Sequence, residues 1–243
     1  MGILDRALSP SDFKANFVTI YSNPGVGKTT LASRLGQKNV FLTDETGVGV
    51  LRNYPELEAR SKGRVFKFEG LNDFKEIVDA VEKHELECDN LVLDTFTGIH
   101  VIKLLQLLKD PKVAEILKLD IKDRRAIPLL DQRDYGLSGN MWTPVIQGLN
   151  AWGGNVTLLC HLKVPNPDRP RVGDATGPAL PKMVLELVNK YSNVVAYMKR
   201  DEKGNRKLVT QGDTRLIAKS QINMPKEVSD DEFVKVITEW RSR

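Results

Sequence analysis

Phe17-Val18-Thr19-Ile20-Tyr21-Ser22-Asn23-Pro24-Gly25-Val26-Gly27-Lys28-Thr29-Thr30-Leu31-Ala32-Ser33-Arg34-Leu35 is the stretch whose reading decides the fold. An apolar, β-branched run meets a turn at Asn23-Pro24-Gly25, and apolar residues then recur at Leu31 and Leu35 with helical spacing. The pattern predicts strand, loop and helix. Gly25 and Gly27 let backbone N–H groups turn inward on phosphate oxygens with no Cβ in the way. Lys28 is placed to reach β- and γ-phosphates, and the Thr29 hydroxyl to ligate Mg²⁺. The start of the helix adds partial positive charge at the same point. Asn23, Pro24, Gly25, Val26, Gly27, Lys28, Thr29 and Thr30 together read as a phosphate cradle. The usual G-x-x-x-x-G-K-[S/T] has glycine where this chain has Ser22, but every residue whose chemistry touches phosphate is kept. A chance Gly-rich turn is the alternative; an acidic strand end downstream argues against it.

That acid is Asp94. Asn90-Leu91-Val92-Leu93-Asp94-Thr95 is a short apolar run closed by aspartate, as buried parallel strands look. At the carboxyl end of its strand Asp94 can hold Mg²⁺ opposite Thr29; alone, it could equally cap a helix. Further strands are expected at Asn39–Thr43, at Arg64–Phe68 from its alternation, and at Asn155–His161. Helices are expected over the stripe Phe74, Ile77, Val78 and Val81, over 99–108, over 142–152 (broken or begun near Pro144), and over 184–190. Residues 109–139 are the least regular part. Lys109, Lys112, Lys118, Lys122, Arg124, Arg125 and Arg133 alternate there with acids, as on a solvated face. Residues 162–183 carry five prolines and two glycines and read as a long loop. Asn193–Arg200 and Arg206–Gln211 pair as a hairpin, and Ser229-Asp230-Asp231-Glu232 is a capping box opening a last helix.

Alternating strands and helices predict an α/β fold: a mainly parallel sheet flanked by helices, with antiparallel strands at the C-terminal side. Ligands in such sheets bind at the carboxyl strand ends, where Lys28, Glu45, Asp94 and His161 all fall. The 243 residues are read as a single domain, with 1–16 a lead-in and 225–243 a C-terminal helix. A net charge of +4 permits a nucleic-acid partner without demanding one. No run is apolar for the roughly 18 residues a membrane span needs. The N-terminus has no signal-peptide pattern, and Arg6 stands where a myristoylation site wants Ser or Thr. Cys88 and Cys160 read as reduced thiols of a cytoplasmic protein.

With these features in place, the chain resembles a RecA-like P-loop NTPase core. More narrowly it is similar to the phage-encoded, AAA-type RecA-like ATPases of the single-strand annealing and recombination group. The resemblance runs from about Phe17 to Met224, on Asn23–Thr30, Phe41-Leu42-Thr43-Asp44-Glu45, Leu91–Asp94, Leu158-Leu159-Cys160-His161 and Ala218-Lys219. It implies ATP as the nucleotide and Glu45 as the base that orients and deprotonates the attacking water, with Asp44 the competitor. It implies that His161 senses the γ-phosphate, although a lone histidine is more commonly structural. The loop 163–182 then corresponds to the segment laid on single-stranded DNA, with Lys163, Arg169, Arg171 and Lys182 facing phosphates. An ordinary active-site lid is the alternative, and the loop has no aromatic residue for base stacking. Lys219 matches a lysine that reaches a neighbouring subunit's nucleotide, though Ser220 and Gln221 replace the usual Asp and Arg.

The expected protein is therefore an ATPase, stimulated by DNA, that works on single-stranded DNA as a homo-oligomer in annealing or recombination. The competing reading is an ATP-switched accessory or loader protein acting through a single-strand-binding or replication protein. A small-molecule kinase would leave Glu45 and His161 unexplained.

Overall fold

The computed structural model describes residues 16–44, 46–101, 132–165 and 175–242, with the side chains of 46 and 132–138 excepted. Glu45, the lead-in, the expected helix beyond 101, the charged stretch up to 131, and Arg169 and Arg171 lie outside the described residues.

Strands β1 (Phe17–Ser22), β2 (Asn39–Thr43), β3 (Val65–Lys67), β4 (Asn90–Asp94), β5 (Val156–Lys163), β6 (Gly177–Pro178), β7 (Val194–Arg200), β8 (Arg206–Val209), β9 (Lys219–Ser220) and β10 (Glu227–Ser229) form one sheet. Its order is β10-β8-β7-β1-β5-β4-β2-β3, with β6 on β5 and β9 on β7. From β7 to β3 every pairing is parallel. The additions β6, β8, β9 and β10 are antiparallel. The expected architecture is what the chain adopts.

Side chains alternate between two cores, as the two-residue period of a strand requires. Phe17 and Tyr21 of β1 face the helices Asn72–Glu82, Gln132–Trp152 and Lys182–Tyr191. Val18 and Ile20 face Leu31 of the phosphate-loop helix Lys28–Ala32 and Phe233 and Ile237 of the C-terminal helix Asp230–Arg241. Ser229 caps that last helix by accepting from Glu232 N at 3.2 Å, as the capping box predicts.

Two expectations need correction. The helix read from 142 starts at Gln132 and runs unbroken through Pro144. Its glycines and proline lower the local propensity, but Trp142, Ile146 and Leu149 are buried, and tertiary packing decides. Gly139 permits that packing: a Cβ there would come 2.8 Å from Met183 Cβ. Secondly, β3 buries no face; Val65 and Phe66 are both exposed, because β3 is the sheet edge and its buried neighbour is Phe68. Among the described residues no helix is long and apolar enough to cross a membrane.

The amino end of the sheet holds a buried polar network. The phosphate-loop helix is only five residues long and leaves carbonyls to be satisfied. Asn39 Nδ2 donates to Ser33 O (2.9 Å) and Gly36 O (3.0 Å), and Arg241 Nη1 donates to Leu35 O (3.3 Å). Arg241 also donates to Asn90 Oδ1, Asn16 O, Val156 O and Thr157 Oγ1. Burial works against its charge and the Asp89 carboxylate works for it.

Arg241→Ala removes the donor to these acceptors and is expected to lower unfolding free energy by about 3 kcal/mol in a urea titration. An unchanged midpoint would refute the role given to Arg241. His100 is 3% exposed, and burial holds it down to about 4 from 6.5. It is therefore neutral in the fold at pH values where the unfolded chain binds a proton. Stability should fall as pH drops from 6.5 toward 4, with a slope from this group approaching about 1.4 kcal/mol per pH unit. His100→Gln should flatten that slope in pH-dependent denaturation.

Candidate active site

The loop between β1 and its helix turns on two glycines in left-handed backbone, Gly25 at φ 78° and Gly27 at φ 113°. Ser22 needs no such freedom. It is the last residue of β1, fully buried, and has no positive φ, so serine fits where the motif has glycine. It also takes part in the site. Lys28 is 6% exposed and donates to Ser22 Oγ at 3.2 Å and to Ser22 O and Asn23 O, each at 3.3 Å. The ammonium is thus folded along the loop it is expected to serve.

Across the sheet edge, Thr29 Oγ1 donates to Asp94 Oδ2 at 2.8 Å, so the two residues read as metal ligands meet directly. Asp94 is 3% exposed. A hydroxyl and a carboxylate so close form an oxygen donor pair suited to Mg²⁺, which takes one or two protein oxygens and fills its remaining positions with water and phosphate. Thr29 and Asp94 would hold the ion.

The next layer was not legible in the motif. Thr95 Oγ1 lies 3.5 Å from His161 Nε2, and Thr97 Oγ1 accepts from His161 N at 3.0 Å. His161 therefore reaches the aspartate strand through the hydroxyls of Thr95 and Thr97. Their sequence signal is two threonines within three residues of the strand-ending acid, in Asp94-Thr95-Phe96-Thr97. Asp44 takes a structural position. Its Oδ1 accepts from Thr95 N at 2.8 Å, its backbone N donates to Asp94 O at 3.3 Å, and a Cβ on Gly98 would collide with its carboxylate. Asp44 thus ties β2 to β4 beside the helical residues 96–101, which Thr95 caps by accepting from Gly98 N at 3.2 Å.

Gly25, Gly27, Lys28, Thr29, Asp94 and His161 share a cavity of about 220 Å³. Gly47 and Val50 close it from the 3₁₀ segment Thr46–Asn53. Larger clefts of about 560 and 770 Å³ hold none of the expected site residues, so chemistry and not size identifies the site.

The remaining expected residues are placed elsewhere. Lys163 ends β5, opposite Gly177, and is exposed. Lys182 opens its helix, 89% exposed and 4.0 Å from Glu186. The loop read from 163 to 182 is anchored on its return: Leu162 pairs with Pro178, and Ala179 N donates to His161 O at 2.8 Å. Lys219 opens β9 opposite Val195, and its ammonium donates to Asn189 O. Partial burial there lowers its pKa. Val195 lies beside Thr19, mid-strand, so Lys219 does not line the cavity of its own chain.

Residues 14–222 match a protein-family model described as AAA domain. No curated protein matches the chain. Among solved structures it is similar to a KaiC-like protein from the hyperthermophilic archaeon Pyrococcus horikoshii, with 17% identity over 80% of this chain and 77% of that one and a TM-score of 0.43. A second solved structure, the ATPase domain of another protein, shows 14% identity over 89% of this chain and 81% of that one, with a TM-score of 0.45. Since the family model spans most of the sequence, on a fold whose phosphate loop and aspartate strand meet at the carboxyl ends of the strands, the chain belongs to the AAA domain family.

Proposed function

We propose that this protein is a single RecA-like domain that hydrolyses ATP with Mg²⁺, binds single-stranded DNA as a homo-oligomer and promotes annealing or recombination. The ATPase part is carried by one observation: the 2.8 Å hydrogen bond from Thr29 to Asp94, on the cavity that Lys28 lines. Lys28 would hold the β- and γ-phosphates, and Thr29 and Asp94 would hold Mg²⁺, which would supply charge neutralisation to the transferring phosphoryl group. Water attacks the γ-phosphorus, its proton passes to a carboxylate, and the bond to the leaving ADP oxygen breaks. Glu45 takes the base role. The hydrogen bond from Thr95 N to Asp44 supports that choice, because it gives the neighbouring acid a structural task.

His161 reads the γ-phosphate through Thr95, supported by their 3.5 Å approach. Lys219 acts on the nucleotide of an adjacent subunit, supported by its position away from its own cavity. Lys163, Arg169, Arg171 and Lys182 meet DNA phosphates, on a loop that leaves and returns beside His161.

Lys28→Ala is expected to abolish binding of a fluorescent ATP analogue with the thermal unfolding transition retained; wild-type turnover in that variant would end the nucleotide reading. Glu45→Gln should keep ATP affinity and slow steady-state hydrolysis by about 10²-fold or more. Asp44→Asn should act chiefly on stability, and the reverse pattern would exchange the two roles. Single-stranded DNA should stimulate turnover and bind in a salt-dependent manner, weakening when Arg169 and Arg171 are both alanine. Affinity indifferent to salt and to that double variant would favour an accessory protein acting through protein partners.

A further inference from the structure

A second cation stands over the phosphate loop, from an element that no motif connects with it. Arg206 opens β8, and a Cβ built on Gly27 would come 2.9 Å from its Nη1 and 3.4 Å from its Cδ. The guanidinium therefore lies against the glycine that immediately precedes Lys28. It is held there from behind. Arg206 Nη2 pairs with Asp230 Oδ2 at 2.6 Å, and the same carboxylate oxygen takes Arg34 Nη1 at 3.2 Å. Arg34 also pairs with Asp231. Asp230 is the first residue of the C-terminal helix, and its side chain is only 15% exposed.

Two guanidiniums and two carboxylates balance the cluster, yet one arm of Arg206 is turned from its carboxylate toward the loop. There its Nη1 lies against Gly27, the residue before Lys28 in the phosphate loop. An anion held in the loop would be attracted by both cations. The planar fork of arginine suits a phosphate on one side while its other amine stays on a carboxylate.

We infer that Arg206 is a nucleotide-binding residue acting within its own chain. Its Nη1 donates to a phosphate oxygen of the nucleotide in the loop, and Asp230 and Arg34 are the positioning residues that aim it. The inference rests on the nucleotide reading of the phosphate loop and adds the C-terminal helix to what fixes the ligand. It also gives Gly27 a second reason to lack a side chain: a Cβ there would strike the guanidinium.

The test is equilibrium binding of ATP to the full chain at several ionic strengths, with Lys28→Ala as reference. Arg206→Ala is expected to weaken ATP binding by about 10- to 100-fold, the range of a charge-assisted hydrogen bond. Arg206→Lys should recover part of the loss. The salt dependence of ATP affinity should become shallower in Arg206→Ala, because one charge contact is gone; a packing defect alone would leave that slope unchanged. Asp230→Asn should give a smaller loss in the same direction. Arg206→Gln is the second variant if alanine does not fold. ATP affinity within twofold of wild type in a folded Arg206 variant, with the salt slope unchanged and Lys28→Ala inactive, overturns the role of Arg206 alone. Undiminished binding in Lys28→Ala overturns the nucleotide site and this inference with it.

Discussion

The site depends on the register in which four parallel strands bring their carboxyl ends together. Ser22 of β1 is level with His161 of β5, Asp94 of β4 with Leu159 of β5, and Thr43 of β2 with Asp94. Those pairings deliver the phosphate loop, Asp94 and His161 to one cavity, although they are far apart in the chain. A slip by one residue would exchange core and opposite faces along a whole strand. Both faces of β1 are fully buried, so that slip would set the two cores against each other and is strongly opposed.

The amino ends of the same strands hold the phosphate-loop helix from behind. A short helix that presents a loop to phosphate needs a fixed rear end, and here that end is buried where water cannot satisfy its carbonyls. Asn39, Asn90 and Arg241 satisfy them from three separate elements. The network resembles a foundation more than a core: polar, directional and largely buried. Its directionality fixes the rotation of the helix about its axis, which apolar packing alone leaves loose.

Much of this was legible in the sequence, because strand alternation, left-handed glycines and strand-ending acids are local signals. Residues 17–35 announced strand, loop and helix without reference to anything distant. Asp94 became interpretable only beside Thr29, and the structure puts them in direct contact. What stayed hidden depended on distance in the chain. Nothing near Arg206 points to Gly27, and nothing near Arg241 points to Leu35; only the sheet order brings them together. The part of the helix Gln132–Trp152 before Trp142 was missed for a related reason, since packing against Met183 outweighs its glycines. Asp44 and Glu45 are adjacent acids that sequence alone left in competition, and the hydrogen bond from Thr95 N to Asp44 was not readable from either of them.

The return limb of the long loop has a mechanical consequence. Ala179 N holds His161 O, β6 pairs with the end of β5, and Thr176 exchanges backbone hydrogen bonds with Arg215 and Ile217. Ile217 is held in turn by the Tyr21 hydroxyl, which donates to its carbonyl at 2.7 Å, and Lys219 follows two residues later. The histidine at the cavity and Lys219, far apart in the chain, are thus joined by one run of backbone hydrogen bonds that also fastens Tyr21 of β1.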